Sequence, residues 1–375
     1  MTYNTIRNVL PHFCFKGKYK GVQELTSGNV NNTYVLEYQD GPVTRLYTLQ
    51  HINTYVFKNP HEVMSNIFAV TSHLREAMAR NNEDANRRVL ELIKTKEGKN
   101  LYEDDDGDIW RAYTYISDAS ALDIVRTPQE MEEVGRGFGQ FQKLLYDFPA
   151  QELYPSIPNF HHTTKRFYTF VHALDRDKAG RVREVEDEIE FMFDRRRMMG
   201  EIVRMLDNGH IPYRVTHNDT KSNNVLLDNA SGKAICVIDL DTVMPGSSLY
   251  DYGDAIRFGA STAAEDEPDV SRIALDMDKT KAFTRGFIEE TNGFLTKEEL
   301  SHLPLGIKVL TCELAMRFLT DYIDGDVYFK VNSPDHNLVR ARAQIALLKD
   351  IERREQDLQA MTERYIARAS AAIKG

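Results

Sequence analysis

The stretch YRVTHNDTKSNNVLLDNASGKAICVIDLD, residues 213–241, determines how this 375-residue chain is interpreted. Its first part brings four polar side chains close together in sequence: His217, Asp219, Lys221 and Asn224. Two short apolar segments follow, separated by the turn-forming NASGK, and Asp239 and Asp241 stand at the end of the second. This pattern predicts a β-hairpin. A hairpin is a rigid support for reacting groups, so a reaction site competes here with a solvated surface loop.

The spacing of these polar residues suits one particular chemistry. Phosphoryl transfer from ATP needs a carboxylate to orient the attacking hydroxyl, oxygen ligands for Mg²⁺ and a cation beside the transferred group. Asp219 can supply the first, Asn224 and Asp239 the second, and Lys221 the third. The joint pattern H-x-D-x-K-x-x-N, then strand, turn, strand and D-x-D, is much more specific than H-x-D alone and matches the catalytic loop of protein kinases. It therefore favours a reaction site that uses ATP and Mg²⁺.

The bulk composition is that of an ordinary globular protein. The formal net charge is −10, with 42% hydrophobic and 28% charged residues. Such a charge disfavours a general attraction to nucleic acid or to anionic membranes. No run of 18 apolar residues predicts a membrane span, and the N-terminus lacks the apolar core of a signal peptide. We therefore expect a cytoplasmic protein that binds neither nucleic acid nor membranes. The oligomeric state is not encoded in these features.

The first part of the chain has the pattern of strands with one helix. TYVLEY and TRLYTLQHI, residues 33–38 and 44–52, predict a hairpin, and RRVLELIKT, residues 87–95, predicts a further strand. Helical spacing of apolar residues begins after Asn59 and Pro60, which form a good helix start. These features predict a small β-rich N-terminal lobe over residues 1–116.

Beyond residue 116 the pattern becomes mainly helical. Residues 128–148, residues 184–209 and the last part of the chain from Asn337 each have the apolar spacing of a helix. The glycine-rich GRGFGQF, residues 135–141, lies inside the first of these and predicts close packing of helices rather than a nucleotide-binding loop. We thus expect an α+β chain whose larger, mainly helical C-terminal lobe covers residues 117–375.

Residues 213–258 resemble the aminoglycoside phosphotransferase and choline kinase superfamily. Further stretches, TLQHIN (48–53), VFKNPHEVMSNI (56–67) and MRFLTDYIDGDVYF (316–329), resemble the N-acetylhexosamine 1-kinases within it. The resemblance extends over most of the chain. It implies a two-lobed protein-kinase-like fold, ATP and Mg²⁺ as cofactors, and a small sugar as the acceptor.

The resemblance also implies roles for individual residues. Asp219 would be the catalytic base or orienter, Asn224 and Asp239 would bind Mg²⁺, and Asp241 would be either a ligand of a second metal or a structural carboxylate. Arg317 and Tyr328 would contact the sugar, although a helix-surface ion pair and simple packing are the respective alternatives. His217 and Asp251 would brace the catalytic loop.

The nucleotide-binding residues are less clearly marked. The loop within TSGNVNNTYVLE, residues 26–37, would cover the phosphates through Ser27, Gly28 and Asn29, although an ordinary hairpin turn remains the alternative. Val35 would pack on the adenine, whose edge would be read by backbone groups near Tyr115 and Ile116.

One departure from protein kinases stands out. The strand position where they carry a phosphate-binding lysine holds Gln50 or its neighbour His51. We hypothesise that Lys221 carries more of the phosphate charge instead.

The sequence therefore predicts an ATP- and Mg²⁺-dependent kinase that phosphorylates the anomeric C1 hydroxyl of N-acetylglucosamine or N-acetylgalactosamine. A kinase acting on another sugar, on choline or on an aminoglycoside is the first alternative. A non-catalytic nucleotide-binding protein is the second, suggested by the missing lysine. The combination of Asp219, Asn224 and Asp239 argues against that second alternative, because a non-catalytic protein has no chemical need for all three.

Overall fold

The structure is a computed structural model that describes residues 3–25 and 30–374. Its strands are β1 (Lys18–Leu25), β2 (Asn32–Asp40), β3 (Val43–His51), β4 (Tyr102–Glu103), β5 (Ile109–Thr114), β6 (Ala119–Ala121), β7 (Arg214–Thr216), β8 (Val225–Asp228), β9 (Ala234–Val237) and β10 (Met244–Gly246). Its α-helices are α1 (Tyr3–Val9), α2 (Pro60–Arg80), α3 (Pro128–Leu144), α4 (Thr163–Arg176), α5 (Glu186–Asp194), α6 (Arg196–Met199), α7 (Glu201–Asp207), α8 (Ser248–Gly259), α9 (Met277–Thr291), α10 (Lys297–Ser301), α11 (Leu303–Asp324), α12 (His336–Arg353) and α13 (Glu355–Lys374).

The chain divides into two compact units. The first comprises residues 1–120, 152–157 and 226–244, and the second comprises residues 121–151, 158–225 and 245–375. Most strands belong to the first unit, and the helices from α3 onward belong to the second. The α+β class expected from the sequence is confirmed.

A five-stranded antiparallel sheet, in the order β1-β2-β3-β5-β4, forms the centre of the first unit. The hairpin expected over residues 33–52 is confirmed, since β2 and β3 pair from Asn32 opposite His51 to Asp40 opposite Val43. Side chains alternate between the faces of a sheet. Tyr34, Leu36 and Leu49 are buried in the apolar core on one face. Thr33, Gln50 and Arg111 lie on the other face.

Helix α2 begins where the sequence predicts, with the side chain of Asn59 accepting the amide of Glu62. Within this helix Asn66 is almost fully buried. Its Nδ2 donates to the carbonyl oxygens of Tyr154 at 2.7 Å and Val243 at 3.0 Å. These bonds connect three segments of the first unit that are distant in the chain.

The strand predicted over residues 87–95 is not formed. The segment makes only isolated bridges, Leu92 with Tyr113 and Thr95 with Phe13. Its hydrogen bonds to neighbouring segments are intermittent, as in the bond from the Ile93 amide to the Ala112 carbonyl at 2.8 Å. Apolar alternation alone was therefore a poor guide here, because pairing with β5 is not continuous.

The second unit packs helices around α11, which is buried along most of its length. Helices α3 and α9 approach each other closely at glycines. A Cβ atom on Gly135 would lie 2.4 Å from the carbonyl oxygen of Phe283, and one on Gly286 would lie 2.4 Å from that of Glu132. The predicted helix-packing role of GRGFGQF is thus confirmed.

Two predicted helices are broken in the structure. Residues 184–209 form α5, α6 and α7, with breaks at Arg195 and Gly200, and the helix expected from Asn337 onward breaks at Arg354. Arg195 binds Glu352 through two hydrogen bonds of 2.8 Å, and Arg354 bonds Asp350 at 2.9 Å. The apolar spacing continues through these breaks, so periodicity did not reveal them.

Candidate active site

The loop from His217 to Asn224 follows β7 and is held by a carboxylate beneath it. Asp251, on α8, is fully buried and accepts the backbone amides of His217 at 2.9 Å and Asn218 at 2.8 Å. It also accepts the side chain of Gln142 at 2.7 Å. Burial raises the pKa of Asp251, although the neighbouring His217 and these donors oppose that shift. Three donors on one buried carboxylate fix the backbone just before Asp219.

The imidazole of His217, at the start of this loop, has no exposed surface. Its ring meets the edges of Phe138 and Phe141, with centroid separations of 5.6 and 6.0 Å. Its Nδ1 accepts the backbone amide of Asp219 at 3.3 Å. The imidazole is thus packed and turned toward the loop backbone.

Asn218 turns the chain sharply through a left-handed conformation with φ of 64°. Its side chain bonds back to Thr216, with its Oδ1 accepting the hydroxyl at 3.0 Å and its Nδ2 donating to the carbonyl at 3.1 Å. A Cβ atom on Gly246 would lie 2.3 Å from the Thr216 hydroxyl oxygen. A larger residue at position 246 would therefore displace the base of the loop.

Asp219, Lys221 and Asn224 come together at the end of the loop. The Lys221 ammonium lies 3.0 Å from Oδ1 of Asp219. Nδ2 of Asn224 donates to the backbone carbonyl of Asp219 at 2.8 Å. Burial by itself would lower the pKa of Lys221, but the Asp219 carboxylate outweighs burial and the pKa is raised. The lysine is therefore a cation at neutral pH.

Thr220, which follows Asp219 in the loop, is held by a second buried carboxylate. Asp254 accepts the amide of Thr220 at 3.0 Å and two donors of Arg257 at 2.9 and 3.0 Å. Burial would raise the pKa of Asp254, but the charges of Arg257 and His161 outweigh it and lower the pKa. Two carboxylates of α8 thus hold the first half of the loop, residues 217–220.

A chain of polar contacts connects this loop to Arg317 on α11. Nε2 of His161 lies 3.1 Å from the carbonyl oxygen of Asn218, and its Nδ1 lies 3.1 Å from both carboxylate oxygens of Glu313. Glu313 in turn lies 3.8 Å from the Arg317 guanidinium. His161 and Glu313 were not assigned from the sequence, because residues 161 and 313 are distant in the chain.

Arg317 is surrounded by aromatic rings. Its guanidinium carbon lies 5.3 Å from the ring centroid of Phe160, 5.8 Å from that of Tyr328 and 5.5 Å from that of Phe329. Tyr328 is 59% exposed, so it is not a core residue. Arg317 and Tyr328, both proposed sugar contacts, are therefore neighbours.

The segment that carries Tyr328 is held by one buried carboxylate. Asp321 accepts the backbone amides of Val327, Tyr328 and Phe329 at 2.9, 2.8 and 2.9 Å, and the side chain of Asn337 at 2.8 Å. The sequence reasoning missed Asp321. The available signal was the helix end at Gly325, a left-handed glycine that turns the chain back toward Asp321.

In the first unit, Asp241 pairs with an arginine that sequence reasoning also missed. Both terminal nitrogens of Arg111 bond the carboxylate of Asp241, which also accepts Nδ2 of Asn31 at 2.6 Å. Nε of Arg111 donates to Gln50 at 2.9 Å, and Gln50 donates to Thr33 at 3.0 Å. In the sequence, the signal was a lone arginine within the apolar stretch IWRAYTYI, residues 109–116.

The residues proposed for Mg²⁺ have suitable chemistry. Asn224 is buried, and its Nδ2 is engaged with the Asp219 carbonyl, so its Oδ1 is the atom left for a ligand; none of the residues the structure describes donates to it. Asp239 is exposed and adopts a left-handed conformation with φ of 58°. Amide and carboxylate oxygens suit Mg²⁺, which keeps several waters and phosphate oxygens as further ligands.

The residues proposed for the nucleotide are placed only in part. Ser27, Gly28 and Asn29 lie outside the described residues. Val35 is half-buried and pairs with Thr48 in the sheet, on the same face as Thr33, Gln50 and Arg111. Tyr115 and Ile116 are half-buried, and the amide of Tyr115 donates to the Leu46 carbonyl at 3.1 Å. That amide is therefore already bonded within the sheet.

Comparison with known proteins places the chain in a family. The sequence profile of the phosphotransferase enzyme family matches residues 21–284. The match spans well over half of the chain, and the chain therefore belongs to this family. No described helix is both long and apolar enough to cross a membrane.

Solved structures of kinases share the fold. A microcompartment-associated aminopropanol kinase superposes with a TM-score of 0.57 at 14% identity, over 96% of this chain and 99% of that chain. A spectinomycin phosphotransferase in complex with ADP and spectinomycin gives 0.55 at 14% identity, over 97% and 98%. Choline kinase from Cryptosporidium parvum Iowa II gives 0.54 at 14% identity, over 92% and 93%. The protein-kinase-like fold expected from the sequence is thus confirmed.

Proposed function

We propose that this phosphotransferase is an ATP- and Mg²⁺-dependent kinase that phosphorylates the anomeric C1 hydroxyl of N-acetylglucosamine or N-acetylgalactosamine. The observation that supports it is the chain of contacts from Arg317 through Glu313 and His161 to the carbonyl of Asn218. It connects the proposed sugar contact to the residue before Asp219. A bound sugar and the catalytic carboxylate would thus share one rigid support.

In this proposal each loop residue has a separate role. Asp219 accepts a hydrogen bond from the C1 hydroxyl and aligns it with the γ-phosphate. Lys221 stabilises the charge on the transferred phosphoryl group through its ammonium. His217 and Asp251 brace the loop, and Arg317 and Tyr328 bind the sugar.

Asn224 and Asp239 would hold Mg²⁺, which when bound neutralises charge on the phosphates. Asp241 has both oxygens engaged by Arg111 and Asn31, so we propose its structural role over binding of a second metal. Asn224 and Asp239 flank the β8–β9 hairpin in the chain.

The proposed nucleotide contacts come from the N-terminal part of the chain. Residues 1–116 would bind ATP, with Ser27, Gly28 and Asn29 at the phosphates and Val35, Tyr115 and Ile116 at the adenine. Residues 117–375 would carry catalysis and sugar binding. Because ATP and a salvaged sugar meet inside cells, we propose a cytoplasmic location.

The proposal is tested by incubating the protein with MgATP and a panel of acceptors: N-acetylated hexosamines, other sugars, choline, aminopropanol and spectinomycin. ADP release is followed, and phosphorus NMR identifies the phosphorylated position. A hexosamine 1-phosphate is the expected product. A sugar phosphorylated at another position would overturn the proposal. Turnover only of the amine-bearing acceptors would overturn it in favour of a kinase for the acceptor that is phosphorylated.

The variant Asp219→Asn tests the catalytic assignment. We expect turnover to be lost while the thermal unfolding temperature stays near that of the wild type. Asp278→Asn is the matched control, because Asp278 is an exposed residue of α9 whose carboxylate pairs with Lys281 at the surface. Residual turnover of Asp219→Asn comparable to that of the control would contradict the role of Asp219.

A further inference from the structure

Two guanidinium groups lie against the same aromatic ring. The guanidinium carbon of Arg317 is 5.3 Å from the ring centroid of Phe160, and that of Arg166 on α4 is 5.9 Å from it. Arg166 donates from Nε and Nη2 to the Phe160 carbonyl at 3.0 and 2.9 Å. Both side chains are partly withdrawn from solvent. Two positive charges are therefore close together beside the proposed sugar contacts.

Negative charge does not balance this pair. Glu313 is the nearby carboxylate, and it is shared between Arg317 and His161. Over the part of the chain that the structure describes, no carboxylate lies within ion-pair distance of Arg166. Burial and the charge of Arg317 together lower the pKa of Arg166, while Glu313 and Tyr328 oppose this. The site thus has an excess of positive charge.

The aromatic rings beside the proposed sugar contacts already bind a cation, the guanidinium of Arg317. An ammonium group is commonly bound over aromatic rings or beside carboxylates. Here Phe160, Tyr328 and Phe329 surround the guanidinium of Arg317, and Glu313 is engaged by His161. Neither the aromatic rings nor the Glu313 carboxylate is therefore free to bind a cationic acceptor, and the two arginines would repel it.

We propose that Arg166 and Arg317 together select uncharged, oxygen-rich acceptors and exclude amines, with Arg166 as the specificity-determining residue. This inference rests on the proposed function, since it takes Arg317 as an acceptor contact. An acetamido group offers a carbonyl oxygen to these donors, whereas the free amine of the parent hexosamine brings a third positive charge. Acetylation of the amine is then the feature that the site detects.

The test uses N-acetylglucosamine and glucosamine, which differ only in this group. The ratio of their kcat/KM values is measured between pH 6 and pH 9, so that effects of pH on the enzyme common to both acceptors cancel. As the glucosamine amine loses its proton, we expect the preference for the acetylated sugar to fall by about tenfold. Added salt at low pH should reduce the preference in the same direction.

Variants assign the effect to one side chain. Arg166→Gln is expected to reduce the preference at low pH by about tenfold, through a gain for glucosamine. Arg166→Lys keeps the charge and is expected to retain the preference. Arg176→Gln is the control, because Arg176 lies on the same helix, is 61% exposed and pairs with Asp324. If Arg166→Gln is poorly folded, the inference is still tested by the pH dependence of the preference in the wild type and by the preference of Arg166→Lys.

The outcomes separate this inference from the proposed function. A preference that does not change with pH or with Arg166→Gln would overturn the inference even if the acetylated sugars are phosphorylated. If the enzyme instead phosphorylates glycerol and rejects 3-amino-1,2-propanediol in the same charge-dependent way, the inference stands and the hexosamine assignment falls. A best acceptor that is an amine overturns both.

Discussion

Arg111 and Asp241 form a bidentate ion pair that is almost completely withdrawn from solvent. Burial by itself would lower the pKa of Arg111, but the Asp241 carboxylate outweighs burial and raises it. The pair joins Arg111 on β5 to Asp241, two positions after Asp239. Gln50 on β3 accepts a further hydrogen bond from Nε of Arg111. Gln50, one of the two residues considered for the position of the protein-kinase lysine, thus belongs to a network that contains a buried cation.

The first prediction concerns this pair. Arg111→Met leaves the Asp241 carboxylate buried without its cation, so we expect the free energy of unfolding to fall by about 3–5 kcal/mol. Urea denaturation measures the loss. The double variant Arg111→Met with Asp241→Leu should lose less than Arg111→Met alone, because no uncompensated charge remains.

Arg45→Met is the control for this prediction, since Arg45 lies in the same sheet but pairs with Asp40 at the surface. It should have no measurable effect on stability. An equal fall in the free energy of unfolding for Arg45→Met and Arg111→Met would show that the buried pair contributes no more to stability than the surface pair.

The sequence predicted features that depend on local patterns and missed those that depend on distant pairing. The β2–β3 hairpin and the start of α2 at Pro60 follow from alternation and capping, and both are confirmed. The pairing of β3 with β5 brings Gln50 to Arg111 across 61 positions, and no local pattern encodes it. The motif of His217, Asp219, Lys221 and Asn224 could be recognised because all four residues lie within eight positions of the chain.

The second prediction concerns Lys221, whose ammonium lies 3.0 Å from Asp219. Its raised pKa keeps it charged at neutral pH. We expect Lys221→Met to lower kcat by about 10²–10³-fold, because charge stabilisation is lost mainly in the transition state. The KM for ATP should change by less than about threefold. Steady-state kinetics with varied ATP measures both.

Lys233→Met serves as the control for Lys221, because Lys233 is an exposed residue of the β8–β9 turn. It should leave kcat unchanged. Small and equal changes in kcat and in the KM for ATP for Lys221→Met would contradict a role at the transferred phosphoryl group.

The third prediction concerns the pH dependence of the His161–Glu313 pair. Burial would lower the pKa of His161, but Glu313 outweighs it and raises the pKa above 6.5. Burial would raise the pKa of Glu313, but His161 outweighs it and lowers the pKa below 4.5. The histidine contribution is therefore complete below pH 6.5 and is lost as the pH rises through the folded-state pKa. The glutamate contribution is present above pH 4.5 and is lost on acidification.

We therefore expect the stability margin of the wild type over His161→Asn to be larger at pH 6 than at pH 9 by about 1 kcal/mol. Chemical denaturation at the two pH values measures it. Glu313→Gln should remove this pH dependence, and His210→Asn, at an exposed position, should show none. A margin over His161→Asn that is constant with pH would mean that the pair is not ionic.

The fourth prediction concerns Asp321, whose carboxylate accepts the amides of residues 327–329 and the side chain of Asn337. An amide has only one accepting oxygen, so Asp321→Asn cannot bind all of these donors. The segment that carries Tyr328 should then be less well ordered. We expect the KM for the proposed sugar acceptor to rise about tenfold, while kcat and the KM for ATP change little.

Asp324→Asn is the matched control for Asp321, because Asp324 lies one turn further along α11 and pairs with Arg176 near the surface. It should leave the KM for the sugar unchanged. The distinction matters because a purely structural loss would lower the amount of folded enzyme, and hence kcat, for every substrate equally. A selective increase in the KM for the sugar, with a normal circular dichroism spectrum, can arise only if the carboxylate positions the acceptor-binding segment. Equal increases in the KM for ATP and for the sugar would contradict that role.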